Sequence, residues 1–255
     1  MEFAIVGNGR MGKMVKQELE KLELEKLDPE HICIEIIDKD DWKESSLKRV
    51  DTAIVFVSIE VGYEVVKRIL KKGVDAIVGT TSFYLNPDKS ENKGMLQELE
   101  LLAKDNNCRL VISPNFAPGV NAFWEIVRFS ARILSKMNYD SAIEERHHKR
   151  KADISGTAKE IGKILLEEYK YKTCLDLGSS EGKREDNAIT IRATRAGNIT
   201  GEHTTLFASE LDTIEIIHRA SSPAIFAQGA IRSAILVRRK KPGFYRMKDL
   251  YPLSV

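Results

Sequence analysis

The sequence has little cysteine, and the cysteines form no recognisable pattern. Only three occur in 255 residues, namely Cys33, Cys108 and Cys174. They are odd in number and far apart, so they provide neither a disulfide framework nor the spacing of a metal site. Cys33 and Cys108 lie in or beside apolar runs, which is typical of buried free thiols. We expect no metal ion.

Long apolar runs and an excess of one charge sign are also missing. No stretch is suited to a membrane span, and the first residues, MEFAIV, enter a strand with no basic signal-peptide region before them. We therefore expect a cytoplasmic protein. The net charge is only +2, whereas nucleic-acid binding normally needs a positive field over a whole domain.

The first half of the chain alternates short β-branched runs with segments of helical period. Helices are predicted over Met11–Leu27 and Glu60–Lys72. Strands that are almost entirely apolar and that alternate with helices indicate a parallel sheet covered on both faces. The fold class is therefore α/β, with a doubly wound first domain over 1–117. Its predicted strands are Phe3–Val6, Ile32–Ile37, Thr52–Val57, Val74–Val78 and Arg109–Ser113.

The pattern changes after Pro118. Runs such as NAITIRATRAG and DTIEIIHRA alternate apolar and polar residues, which is typical of a half-exposed antiparallel sheet. We expect an α+β domain over 118–227, with an open sheet face available for self-association. Its predicted helices are Val120–Met137 and 155–169, and its predicted strands are Ser141–Glu145, Ala188–Thr194, Thr204–Ala208 and Thr213–His218. A final helix is predicted over Pro223–Val237, and it could return to the first domain.

A glycine pattern follows the first predicted strand directly and opens the first helix. The segment IVGNGRMG contains the G-x-G-x-x-G of Gly7, Asn8, Gly9, Arg10, Met11 and Gly12. Glycines allow a tight turn and let backbone N–H groups approach a pyrophosphate at the helix N-terminus. In this strand–turn–helix context the pattern predicts a Rossmann-like dinucleotide site. A simple tight turn is the alternative, but it leaves the third glycine unexplained.

Other strand ends carry residues suited to the same ligand, because open α/β sheets bind ligands at the carboxyl ends of their strands. Asp38 ends the second strand and could accept bonds from a ribose 2′-hydroxyl, while Lys39 beside it could tolerate a 2′-phosphate. We therefore expect NADH, with some capacity for NADPH. Ordinary strand-end or loop chemistry is the alternative at each position. The remaining candidates are Gly79, Thr80, Thr81, Ser113, Pro114, Asn115 and Phe116.

A basic cluster stands immediately before the predicted helix 155–169. The cluster runs from His147 through His148 to Lys151, and Ser155 is a natural helix N-cap. Gly156 and Thr157 expose backbone N–H groups at the positive end of the helix, which predicts an anion site for a small carboxylate substrate. His147 could also carry a proton near neutral pH. A solvated basic run, balanced by neighbouring glutamates, is the alternative.

This cluster resembles a family signature. EERHHKRKADISGTA is similar to the E-x-x-E-x-H-H-x-x-K-x-D-A-P-S-G-T-A of the dihydrodipicolinate reductases. GRMG, GTTSF, SPNFAPGVN, TRAGNITGEHTTLFA and HRASSPAIFAQGAIRSA resemble further segments of that family in the same order. The resemblance covers nearly the whole chain. It implies NAD(P)H-dependent reduction of 4-hydroxy-tetrahydrodipicolinate to tetrahydrodipicolinate, in lysine and diaminopimelate biosynthesis.

The resemblance also implies roles for particular residues. His147 and Lys151 match the catalytic histidine and lysine, and His148, Gly156 and Thr157 match residues that hold the substrate's carboxylates. The nucleotide contacts match the glycine loop and the strand-end residues named above. The chain over 228–255 should complete the first domain, and the open sheet should pair between subunits of a homotetramer.

Four departures and three alternatives accompany the resemblance. Ile59-Glu60 stands where the family usually has a Pro-Glu pair, and Ser222-Pro223 stands in place of its S-R. The loop from Asp153 to Ser155 is one residue shorter than the family's and lacks its proline, and the glycine loop is also one residue shorter than usual. Misplacement of Thr157 by an ångström could lower catalysis about 100-fold. The alternatives are another nicotinamide-dependent oxidoreductase, a catalytically silent nucleotide-sensing relative, and a nucleic-acid binder, although no aromatic residue interleaves the basic cluster.

Overall fold

The computed structural model describes residues 1–24, 32–38, 47–80, 90–178 and 184–251. Contacts divide the chain into two compact units, which are Met1–Ala117 with Ala224–Val255, and Pro118–Pro223. Two predicted cofactor contacts, Lys39 and Thr81, lie outside the described residues. None of the helices in the described ranges has the length and apolar content that a membrane crossing needs.

The first unit contains a six-stranded sheet in which all the paired strands run parallel. The strand order is β11-β5-β4-β3-β1-β2. The chain leaves β1 in both directions across the sheet, so the predicted doubly wound Rossmann-like class is confirmed. The strands are β1 (Glu2–Val6), β2 (Ile32–Ile37), β3 (Thr52–Val55), β4 (Asp75–Val78), β5 (Arg109–Ile112) and β11 (Gly243–Tyr245).

Helices cover both faces of this sheet, which explains why its strands are almost entirely apolar. In β3, Ala53 and Val55 pack into a core with α2 and α3, whereas Ile54 packs into a second core with α1 and α6. Successive side chains of a strand point to opposite faces, so each face must be apolar. The helices are α1 (Arg10–Leu24), α2 (Ile59–Lys71), α3 (Ser90–Asp105), α6 (Ala224–Val237) and α7 (Met247–Leu250).

The second unit contains a mixed five-stranded sheet with helices α4 (Pro118–Leu134) and α5 (Gly156–Glu168). The strand order is β10-β9-β6-β8-β7, and β9 runs antiparallel to both of its neighbours. The strands are β6 (Asp140–His147), β7 (Cys174–Asp176), β8 (Ala188–Arg195), β9 (Glu202–Ala208) and β10 (Thr213–Arg219).

The antiparallel expectation for the segment 188–194 is wrong. β8 pairs in parallel with β6 on one side and with β7 on the other. The helix α5 follows β6 and returns the chain along the sheet, so β7, the strand that comes after it, runs in the same direction as β6, and β8 lies parallel between them. The sheet is therefore mixed, as the fold class stated, and α5 begins at the carboxyl end of β6.

The alternation of β6 brings polar side chains to the buried face of this sheet. Every second residue of β6 is buried, namely Ser141, Ile143, Glu145 and His147. The residues between them, such as Glu144, are more exposed. A period of two places these four side chains on one face. The last two are ionisable, and they lie where α5 begins.

Candidate active site

The glycine loop of the first unit joins β1 to α1, and its three glycines meet different surroundings. A Cβ on Gly7, whose φ is +103°, would lie 2.2 Å from the carbonyl oxygen of Phe56, and a Cβ on Gly12 would lie 1.9 Å from that of Gly7. Packing within the protein therefore requires both glycines. A Cβ on Gly9 would meet no described atom within 4 Å. Packing does not explain Gly9, and this open approach to the backbone fits a ligand.

The predicted strand-end residues lie at one edge of the parallel sheet. Val6 is in register with Ile37, so Gly7 and Asp38 follow neighbouring strand ends, and the Gly7 amide donates to the Ile37 carbonyl at 2.8 Å. Gly79 and Thr80 follow β4, and the segment from Ser113 to Phe116 follows β5. Asn8, Gly9, Arg10 and Asp38 are exposed, while Met11 and Pro114 are half-buried.

Several of these side chains stabilise the loops themselves. The hydroxyl of Thr80 accepts from the Val57 amide at 3.0 Å and donates to the Val57 carbonyl at 2.7 Å. The Ser113 hydroxyl donates to the carbonyl of Asn115 at 2.7 Å, and the Asn115 side chain accepts from the Ala117 amide at 2.9 Å. Phe116 is buried. These groups fix the backbone that forms the sheet edge.

The second unit brings the other predicted residues to the junction of β6 and α5. His147 is buried at the end of β6, His148 and Lys151 are half-buried in the following turn, and the two basic residues between them are exposed. The predicted N-cap is confirmed, because the Ser155 hydroxyl accepts from the Ala158 amide at 3.0 Å. Gly156 is exposed, with no described atom within 4 Å of a Cβ position.

Thr157 follows Gly156 in the first turn of α5 and is buried. Its carbonyl accepts from the indole nitrogen of Trp124 on α4 at 3.4 Å. The start of α5 is thus held by packing against α4 while its first residue remains accessible. A helix N-terminus of this kind favours an anion through its N–H groups and its dipole.

The pKa of His147 is lower than expected for a residue that carries a proton near neutral pH. Burial lowers its pKa to about 4, so the imidazole is neutral in the folded protein at pH 7. Its ring lies edge-on to that of His203, with 5.1 Å between the centroids. A neutral imidazole can accept or donate a hydrogen bond, but it does not supply a positive charge.

Sequence reasoning missed the ionic contact beneath this junction. Glu145 is 1% exposed, and its carboxylate accepts from Arg195 on β8 at 2.6 Å and from the Ser155 amide at 3.0 Å. Burial alone would raise the pKa of Glu145, but its hydrogen bonds outweigh burial and hold that pKa well below the usual range. The alternation of β6 was the available signal, because it places Glu145 in the same phase as Ile143.

Glu145, His147 and His203 also have the composition of a possible metal-ligand set. Their candidate ligand atoms lie within 4.8 Å of one another. However, both oxygens of Glu145 already accept hydrogen bonds, and one of the donors is the guanidinium of Arg195 at 2.6 Å. A cation beside that guanidinium would be repelled. The arrangement is better described as a buried hydrogen-bond network.

The low pKa of His147 predicts how stability changes with pH. In the folded chain this pKa is about 4, against an ordinary value of 6.5. Between these values the unfolded chain binds more protons at this residue, so stability falls as pH decreases from 6.5 towards 4. The loss attributable to His147 is at most ~3 kcal/mol. Urea unfolding at pH 7 and pH 4.5 should show a smaller loss in His147→Asn than in the unchanged chain, and equal losses would contradict the assignment.

The fold and the two sets of residues define a class of protein. A doubly wound parallel sheet with a glycine loop at its first strand is typical of oxidoreductases of Rossmann type. The second unit adds a basic helix start that is suited to binding an anion. Two family models extend this conclusion, since "Dihydrodipicolinate reductase, N-terminus" matches residues 1–116 and "Dihydrodipicolinate reductase, C-terminus" matches residues 119–251. The chain belongs to the dihydrodipicolinate reductase family, as the motifs predicted.

Individual relatives agree with the family models. A 4-hydroxy-tetrahydrodipicolinate reductase of Methanosphaera stadtmanae is 40% identical over 207 residues, covering 78% of this chain and 72% of the relative. Another, from Aquifex aeolicus, is 30% identical over 278 residues, covering 99% and 100%. Among solved structures, the dipicolinate-bound dihydrodipicolinate reductase from Paenisporosarcina sp. TG-14 has a TM-score of 0.72 and 20% identity, covering 98% of each chain. This last likeness supports the fold.

Proposed function

We propose that the protein reduces 4-hydroxy-tetrahydrodipicolinate to tetrahydrodipicolinate with NADH or NADPH, a step of lysine and diaminopimelate biosynthesis. One observation carries the proposal. The accessible start of α5 at Gly156 lies in the same loop system as His147, His148 and Lys151, in a chain of the dihydrodipicolinate reductase family. The relatives named above carry the same activity in their names.

The first unit would bind the nicotinamide cofactor. The open approach to Gly9 fits a pyrophosphate against the N-terminus of α1, and the exposed Asp38 fits a ribose hydroxyl. Gly79, Thr80 and the segment from Ser113 to Phe116 would shape the edge of the sheet that receives the nicotinamide ribose. The reduced nicotinamide, when bound, supplies the hydride.

The second unit would bind the cyclic dicarboxylate. The N–H groups of Gly156 and Thr157, together with His148, would neutralise its carboxylates. The 4-hydroxyl group would leave as water, and the hydride would add to one carbon of the double bond that this loss creates. Lys151 would donate the proton to the adjacent carbon, which is general acid catalysis by an ammonium group. His147, neutral because its pKa is lowered to about 4, would orient the substrate by hydrogen bonding.

A spectrophotometric assay tests this function directly. The substrate is generated in the cuvette from pyruvate and aspartate semialdehyde by the preceding synthase, and the loss of reduced cofactor is followed by its absorbance. Separate assays with NADH and NADPH measure the preference, for which the carboxylate of Asp38 favours NADH. Cofactor binding without turnover would instead indicate the silent, nucleotide-sensing alternative.

The glycine loop provides a prediction about cofactor binding. Gly9→Ala should leave the melting temperature unchanged, because its Cβ meets no described atom within 4 Å. It should raise the Kd for reduced cofactor at least ~10-fold by blocking backbone approach to the pyrophosphate. Gly12→Ala is the matched comparison and should destabilise the fold, since its Cβ would lie 1.9 Å from the Gly7 carbonyl. Unchanged cofactor affinity in Gly9→Ala would contradict the proposed site.

The predicted homotetramer is part of the same proposal. The edge strand β10 exposes Ile214 and Ile217, which are 40% and 38% accessible. Apolar side chains on an open sheet favour pairing with another subunit. Light scattering of the purified protein measures the oligomeric state, and a monomer at micromolar concentration would contradict this proposal.

A further inference from the structure

We infer that Glu145 and Arg195 are positioning residues. They fix the segment 148–157, which contains both the proposed proton donor and the proposed anion site. The inference rests on the proposed function where it concerns catalysis. Neither residue belongs to the predicted set, and neither needs to touch substrate. Their effect would act through the backbone that they hold.

Arg195 bonds the segment at two successive points. Its Nε donates to the carbonyl of Lys151 at 2.9 Å, and its Nη2 donates to the carbonyl of Asp153 at 3.0 Å. The planar guanidinium holds these donors in a fixed geometry, which a lysine ammonium does not reproduce. The backbone that carries the Lys151 side chain is therefore bonded directly to strand β8.

Glu145 bonds the segment at a third point and holds Arg195 in place. One oxygen accepts from Arg195 Nη2 at 2.6 Å, and the other accepts from the Ser155 amide at 3.0 Å. Ser155 caps α5, and its hydroxyl lies 2.8 Å from Nε2 of His203 on β9. One buried carboxylate thus connects strands β6 and β8 to the start of α5.

Because this pair is buried, a functional role explains it better than a contribution to the stability of the fold. The side chain of Glu145 is fully buried and that of Arg195 is 19% accessible. Buried ion pairs are often no more stabilising than apolar replacements, because removing charges from water costs as much as their attraction returns. Three backbone bonds from one pair, all to the segment between His147 and α5, provide the spatial precision that catalysis needs.

Glu145→Gln is the principal test, because it keeps the size of the side chain and removes the charge. Asp176→Asn is the matched control, since Asp176 pairs with Arg192 of the same strand β8 at 2.8 Å. Amide hydrogen exchange in peptides covering 148–158 should quicken at least ~10-fold in Glu145→Gln and remain unchanged in Asp176→Asn. This readout needs no substrate, so it decides whether the pair holds the segment even if the proposed reaction is absent.

Kinetics test the catalytic part. Glu145→Gln should lower kcat at least ~30-fold with unchanged cofactor Kd, and in a Lys151→Ala background the same change should lower kcat less than ~3-fold, because residues that act as a unit are not additive. An equal factor in both backgrounds would show a general structural effect and overturn the inference. Unchanged exchange or unchanged kcat would overturn it as well. If Glu145→Gln does not fold, Arg195→Lys is measured in the same way, with the same outcomes decisive.

Discussion

Lys151→Ala is expected to lower kcat at least ~100-fold while the Kd of reduced cofactor stays unchanged. The half-buried Lys151 side chain stands in the turn between His147 and the start of α5, and we assign it the proton that completes the reduction. Removing the ammonium leaves the hydride donor and the carboxylate contacts in place. The loss should therefore appear in kcat, with a smaller change in KM.

The control for this variant is Lys159→Ala. Lys159 is an exposed lysine of α5, so its removal changes the net charge equally without removing the proposed donor. Its kcat should match that of the unchanged protein. A Lys151→Ala enzyme with near-normal kcat would remove this lysine from the mechanism, and a similar loss in both variants would indicate a general charge effect.

Thr157→Val should chiefly weaken substrate binding, raising KM about 10- to 100-fold, because a hydrogen bond to a charged group contributes about 1.5–3 kcal/mol. The substitution keeps the shape of this buried side chain and removes only its hydroxyl, which we expect to bond the same substrate carboxylate as the backbone N–H groups of Gly156 and Thr157. Steady-state kinetics with the diacid varied at saturating cofactor measure the change.

Thr194→Val provides the matched comparison for the hydroxyl. Thr194 is exposed on β8 of the same unit, and its replacement should leave KM unchanged. An unchanged KM in Thr157→Val would argue against the helix-terminus site. A large fall in kcat at constant KM would instead give this hydroxyl a role in the chemical step.

The architecture of the first unit was predictable because its strands are buried on both faces. The predicted strands Phe3–Val6 and Ile32–Ile37 agree with β1 and β2 within one residue. The three-residue strands β7 and β11 were missed, since so short a segment carries no periodic signal. The helix α3 was also missed, although its leucines at 96, 99 and 102 have helical spacing.

The second unit shows where sequence reasoning fails. The alternation of the segment 188–194 correctly indicated a half-buried strand, but strand direction depends on the connections that join β6 to β7 and β7 to β8, which alternation does not record. Likewise, from the sequence Glu145 has no role except in the alternative interpretation, where it balances the basic run. Its partner Arg195 lies 50 residues further along the chain, and only the sheet places the two side chains together.

The central claim is that a dicarboxylate binds where α5 begins, and a crystal structure with dipicolinate and reduced cofactor tests it most directly. We expect one carboxylate of dipicolinate within ~3 Å of the backbone nitrogens of Gly156 and Thr157, with the ammonium of Lys151 close to the ring. Carboxylates bound away from these nitrogens, in crystals where both ligands are fully occupied, would contradict the account.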